Sequence, residues 1–273
     1  MTYTIASTIE DGIERIVYRP DRRRFATPIV LQHGMWHGAW CWQPWQALLA
    51  EWGWESHAHS LPGHGSSPVQ RPIRWCTLQY YYEFLNAEIR RHTRPPILFG
   101  HSMGGALCHW WLKYGPPLPA IVMVAPWAHD SMEYVPLHSL PIDALGQILS
   151  FLTLSATPAI RTPEIAFRWF LTEGALMSAQ ELYARLGPES GLVLLQYAPH
   201  FGWSPARQAH SPTLIVGAEA DLAIPVQYQR AAAKYYSCDY IEVPEAGHDL
   251  MLEKSYRTTA QQIHEWLHRY ADS

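Results

Sequence analysis

The sequence predicts an α/β fold, a mostly parallel and twisted sheet flanked by helices, with a helical cap inserted late in the chain. Three observations carry this. Short apolar runs alternate with helical stretches at both ends of the chain. Several of those runs stop at loops rich in glycine or proline, as strands buried on both faces do. From about Trp127 to Ala209 the alternation gives way to helical pieces separated by Pro and Gly.

Taken in order, "YTIAST" and "IERIVYR" flank "EDG" and read as a hairpin. "TPIVLQH" is a buried strand ending at His33-Gly34, and "AWCWQPWQALLAEW" has helical character. "WESHAHS" is the next strand, closed by the loop "LPGHGSSP"; "LQYYYEFLNAEIRRH" is helical. "PPILFG" is a strand stopping at Gly100, "MGGALCHWWLKYG" a helix closed by Gly115 and two prolines, and "PAIVMVAP" a strand. After the insertion, "PTLIVGAEAD", "PVQYQRAAAKYY", "CDYIEVPE" and "SYRTTAQQIHEWLHRY" restore strand, helix, strand, helix. The expected division is a core of 1–126 and 210–273 with a cap of 127–209 over the carboxyl edge of the sheet, where ligands bind in open α/β sheets.

Composition narrows the function. The 273 residues are 48% hydrophobic and 16% charged, enough for a large core and unlike a disordered chain. A net charge of −4 provides no drive toward nucleic acid or anionic membrane. Basic runs such as "RPDRRR" and "RRHTR" read as solvated faces and helix ends. Cys41, Cys76, Cys108 and Cys238 are far apart without CxxC spacing, as idle thiols in a reducing compartment would be. No signal peptide or membrane-spanning stretch stands at "MTYTIASTIEDG" or elsewhere, so the expected address is cytoplasmic.

"ILFGHSMGG" places G-x-S-x-G between a strand and a helix. The chain must turn sharply at Ser102, and neighbours carrying a Cβ would collide there; Gly100 and Gly104 remove those collisions. Such a turn raises the Ser102 hydroxyl above the sheet edge and aims the first helical amide, Met103, at the same space. A serine needs a base, and His248 in "PEAGHDL" follows a strand on the expected edge. The base needs an acid, and Asp221 in "IVGAEADLAIP" supplies one, with Glu219 as the near alternative and Asp130, after "MVAP", as a further one. The order Ser102, Asp221, His248 is that expected of a nucleophile elbow on such a sheet. Met35 N–H, after "LQHG", is the second oxyanion donor beside Met103 N–H; one such donor is worth roughly 3 kcal/mol of transition-state stabilisation. The plainer alternatives are a helix-capping Ser102, a surface His248 and a helix-start Asp221.

With "HGMWHGAW" (33–40), "LPGHGSS" (61–67), "GHSMGG" (100–105), "GAEADLAIP" (217–225) and "AGHDLMLE" (246–253), the chain resembles the α/β-hydrolase superfamily over nearly its whole length. "HGAWCW" is similar to small esterases and hydroxynitrile lyases of the plant type, and "GHSMGG" to lipases, lysophospholipases and monoacylglycerol lipases. The resemblance implies a serine hydrolase, carboxylesterase- or lipase-like, working through an acyl-enzyme with neither metal nor organic cofactor. Its expected partner is a small-molecule ester. Thioesterases, lactonases, carbon–carbon hydrolases, hydroxynitrile lyases and acyltransferases share the triad, and some members of the fold only sense ligands. Epoxide hydrolases and haloalkane dehalogenases would have aspartate where Ser102 stands.

Fifteen histidines raise the question of metal. His57 and His59 share a strand face with His64 nearby, but neither H-E-x-x-H nor an Asp-His continuation follows, and structural roles are expected. His101 is expected to pack beneath the elbow. Thirteen tryptophans are mostly core. Trp36, Trp127, Trp169 and Trp203, with His37, are placed to line a pocket expected to be apolar and wide. Lys113 and Lys254 are the lysines nearest the motifs, and neither is well placed for lyase chemistry.

Overall fold

The computed structural model describes residues 2–127, 135–197 and 203–270. Strands β1 (Tyr3–Glu10) and β2 (Ile13–Pro20) form the hairpin expected at "EDG". Asp11 and Gly12 both take positive φ, 55° and 69°, the two-residue turn whose twist matches a hairpin. The remaining strands are β3 (Ile29–Gln32), β4 (Ser56–Ser60), β5 (Ile97–His101), β6 (Ile121–Val124), β7 (Thr213–Ala218) and β8 (Asp239–Val243). They form one sheet in the order β1-β2-β4-β3-β5-β6-β7-β8, parallel from β4 through β8, with the hairpin added antiparallel at one edge.

Every residue of β3, β5, β6 and β7 is buried, which requires cover on both faces. Side-chain alternation divides the core. Ile29 and Leu31 pack with α1 (Gln43–Glu51) and α9 (Tyr256–Leu267). Val30 and Leu98 face α2 (Leu78–Arg90), α3 (Met103–Tyr114) and α8 (Val226–Tyr236). Between β6 and β7 lie α4 (Val135–Thr153, kinked at Asp143), α5 (Pro163–Phe170), α6 (Ala179–Arg185) and α7 (Gly191–Tyr197). Thr162 caps α5, and Ser178 with Glu181 forms a capping box on α6.

This helical segment is anchored to the core at buried points. Glu189 accepts from Tyr81 Oη at 2.8 Å and pairs with His64 Nε2 at 3.0 Å. Trp36 Nε1 donates to Ala156 O at 3.2 Å, and Gly187 N donates to Trp36 O at 2.7 Å.

The chain reverses direction across the sheet at β3, whose parallel neighbours are β4 and β5. Gln32 pairs with Gly100, so the exits of β3 and β5 lie side by side. Their closeness depends on two glycines. A Cβ on Gly34 would stand 2.8 Å from Ser102 Cβ, and one on Gly104 would stand 2.5 Å from Gln32 O and 2.9 Å from His33 O. Backbone on both sides leaves little room to relax. Gly104→Ala is therefore expected to lose about 1–3 kcal/mol, a drop in Tm of several degrees by thermal denaturation. An unchanged Tm would show that the loops are not held at this spacing.

Candidate active site

Ser102 follows β5 with φ 54° and ψ −116°, a conformation that a side chain enters only under constraint. Its backbone is fixed from both sides: Ser102 N donates to Val124 O at 3.0 Å, and Trp127 N to Ser102 O at 3.1 Å. Its hydroxyl does not cap α3 and makes no hydrogen bond among the described residues. The capping role is thus absent, and the hydroxyl opens into a cavity shared with His248.

His248 sits in the loop after β8, and its Nδ1 lies 2.7 Å from Asp221 Oδ2. The carboxylate only accepts, so Nδ1 carries the proton and Nε2 presents a lone pair. Asp221 is held by its own loop: Oδ1 accepts from Ala223 N and Ile224 N, both at 2.8 Å, and Oδ2 also accepts from Gln229 Nε2 at 2.8 Å. Burial would push the His248 imidazole down. The charge and hydrogen bond of Asp221, with the charge of Asp249 behind, outweigh burial, and His248 titrates above the ordinary histidine value. Glu219 is exposed and accepts from Glu245 N at 3.0 Å, a separate contact. Asp130 lies outside the described residues.

The loop after β3 brings Met35 beside the elbow. Neither Met35 N nor Met103 N donates a hydrogen bond among the described residues. Trp36 takes φ 60°, turning the loop back over the site. Below it, His33 Nδ1 donates to Gly34 O at 2.7 Å while Nε2 accepts from Leu61 N at 3.0 Å. That pairing defines a neutral ring, and burial, then the nearby His64, hold its pKa well below the ordinary value.

Trp36, Trp127 and Trp169 line the cavity; His37 and Trp203 do not. His37 is buried a layer beneath, joined to Asp249 and to Met35 O, because its position in the turn points it inward. Trp203 packs edge-to-face on His109 of α3, ring centroids 5.6 Å apart, away from the elbow. The cavity is apolar but narrow rather than wide, about 60 Å³, because Phe170, Ile160, Leu194 and Ile224 fill it. Gln147 is the one further polar side chain among its described lining residues. Lys113 binds Ser204 and Lys254 binds Glu245, and neither lines the cavity. His57 pairs with Glu55 and His64 with Glu189; both serve structure. Ligating atoms of His101, His248 and Asp249 come within 4.8 Å of one another. His101 Nε2 meets the His248 carbonyl and Asp249 Oδ2 meets His37, while His101 Nδ1 and Asp249 Oδ1 have no hydrogen-bond partner among the described residues.

Gln229, Glu253 and Asp249 are supporting residues that the sequence did not single out. Glu253 Oε1 accepts from Gly247 N at 3.1 Å and Thr172 N at 2.7 Å, tying the His248 loop to the helical segment. "AGHDLMLE" contains both Glu253 and Asp249, but nothing in spacing alone separates them from ordinary polar loop residues.

The chain belongs to the alpha/beta hydrolase family, whose family model matches residues 29–262. It is 36% identical over 86 residues to pFDCC methylesterase MES16 of Arabidopsis thaliana, covering 29% of this chain and 32% of that curated relative's length. In fold it is similar to an esterase from Thermogutta terrifontis (TM-score 0.68, 20% identity, 100% of each chain). It is likewise similar to the monoacylglycerol lipase of Paleococcus ferrophilus (TM-score 0.63, 20% identity, 99% of this chain and 100% of that one). Among the described residues, no helix is long and apolar enough to cross a membrane.

Proposed function

We propose that this chain is a serine hydrolase that cleaves a carboxylic ester of a small, apolar substrate through an acyl-enzyme. One observation carries the reading: Ser102, strained and with its hydroxyl unengaged, shares an apolar cavity with His248, whose Nδ1 is held by Asp221. His248 Nε2 takes the Ser102 proton as Oγ attacks the ester carbonyl. The Met35 and Met103 amides bind the oxyanion. His248 then returns the proton to the leaving alcohol, and water repeats the sequence on the acyl-enzyme. The segment 127–209 is the cap, contributing Gln147, Ile160, Trp169, Phe170 and Leu194 to the cavity. The absence of a charged side chain among the described residues of that lining favours a neutral ester, and the methylesterase likeness agrees with a small one. Four free cysteines, three of them buried, fit a cytoplasmic setting.

The test is a series of p-nitrophenyl esters of rising acyl length together with a fluorophosphonate probe. Expected are kcat/KM highest for the shortest acyl groups, falling as the chain outgrows the cavity, and one phosphonyl adduct mapped to Ser102. A folded protein giving neither turnover nor adduct, yet stabilised by an apolar ligand, would instead make it a sensor.

A further inference from the structure

A second buried acid lies behind the proposed triad. Asp249 follows His248 directly and is fully buried. Its Oδ2 lies 2.9 Å from His37 Nε2, and its Oδ1 lies 3.4 Å from His101 Nε2. His37 Nδ1 is 2.7 Å from Met35 O. His101, adjacent to Ser102, meets the His248 carbonyl through Nε2 at 3.1 Å. One connected network therefore reaches the oxyanion loop, the nucleophile turn and the base loop.

Hydrogen-bond accounting assigns the charges. Met35 O can only accept, so His37 Nδ1 bears a proton. An ionised Asp249 can also only accept, so His37 Nε2 bears one too, and His37 is an imidazolium facing a carboxylate. Although burial raises the Asp249 pKa, the His37 charge and hydrogen bond, then His101 and His248, bring it below the ordinary carboxylate range, in keeping with that assignment. His101 donates through Nε2 and leaves Nδ1 unpartnered, so its ring is neutral.

We propose that His37 and Asp249 are paired positioning residues, an ion pair beneath the site that holds the Met35 oxyanion loop in register with His248 and Ser102. The inference rests on the serine-hydrolase reading. His37 holds the Met35 carbonyl at the turn where Trp36 goes left-handed, and so fixes the peptide that follows the oxyanion amide, while His33 Nδ1 holds Gly34 O in the plane of that amide itself. Asp249 anchors His37 and is itself anchored, since Asp249 N donates to Phe170 O at 2.9 Å and Asp249 O accepts from Leu252 N at 2.7 Å. The polar groups facing His248 are Asp221 from the loop after β7, His101 from the end of β5 and Asp249 from its own loop; Phe170 from α5 faces it with an apolar ring.

Asp249→Asn, His37→Gln, the double variant and Ser102→Ala are to be compared on a short p-nitrophenyl ester. Each single variant is expected to lower kcat about 10–100-fold with KM within about twofold, as loss of a supporting contact does. The double variant is expected to be no worse than the poorer single, the mark of residues acting as a unit. In Asp249→Asn the acid limb of kcat/KM moves to lower pH, because a negative charge that favours protonated His248 is gone. A loss of packing alone would not move that limb. If Asp249→Asn does not fold, the kcat-against-KM split in His37→Gln decides. Wild-type kcat in whichever variants fold, or additive losses with an unmoved acid limb, overturns the proposal. Turnover retained by Ser102→Ala overturns the underlying hydrolase reading instead; turnover lost there but unchanged in the His37 and Asp249 variants overturns only the positioning role.

Discussion

Ser102→Ala is expected to lower kcat for ester hydrolysis by about 10⁴-fold or more, the scale seen when a triad nucleophile is removed. The fold is expected to remain. Ser102 is 5% exposed, yet its hydroxyl has no hydrogen-bond partner among the described residues, so its removal leaves no group unsatisfied. A side chain that caps a helix behaves otherwise, because its loss weakens stability by about 1 kcal/mol and leaves chemistry untouched. The measurement pairs turnover with thermal denaturation of both proteins. Activity within tenfold of wild type would remove Ser102 from the mechanism. A lower Tm with normal activity would return it to the capping role.

The second large effect is on stability in mild acid. His33, His59 and His101 are fully buried, and burial is the foremost cause holding each below the ordinary histidine value. In the unfolded chain the same rings protonate near pH 6.5. Their folded pKa values are depressed, so the stability they confer is present above pH 6.5 and is lost as pH falls from there toward the folded values. Each contributes about 1.4 kcal/mol per pH unit in that window. Against a total stability of about 5–15 kcal/mol, losses of that kind from three buried rings weigh heavily in mild acid. His248, whose pKa is raised, acts oppositely: its contribution is complete below pH 6.5 and is lost as pH rises through its folded value. Urea midpoints at pH 7, 6 and 5 should fall steeply. A flat series would mean that these rings take up protons in place. His59 is the most direct probe, since neither ring nitrogen has a partner among the described residues. His59→Leu is expected to make the series less steep.

The fold class was legible from local pattern, because strands buried on both faces must be apolar throughout and the helices between them must carry one apolar stripe. "TPIVLQH", "PPILFG" and "PAIVMVAP" satisfy that rule by composition, and β3, β5 and β6 form within them. The elbow was legible for a similar reason: a turn this tight excludes Cβ atoms, and the exclusion is written as glycine. Tertiary structure decided the rest. Asp221 and Glu219 are two residues apart and chemically alike, and only the packing of the loop after β7 against His248 separates the inward carboxylate from the exposed one. His37 and Trp203 were expected at the cavity wall, but side-chain direction in an irregular loop follows no period that patterning reads. Cavity width depends on how far Phe170 and Ile160 reach across the edge, a distance set by contacts far apart in the chain. The His37–Asp249 pair joins residues 212 positions apart. Sequence by itself determined what local sterics and burial must encode, namely the sheet, its helices and the glycine turn; pairing across loops, and with it the charge network beneath the site, was settled only when the folded chain brought those groups together.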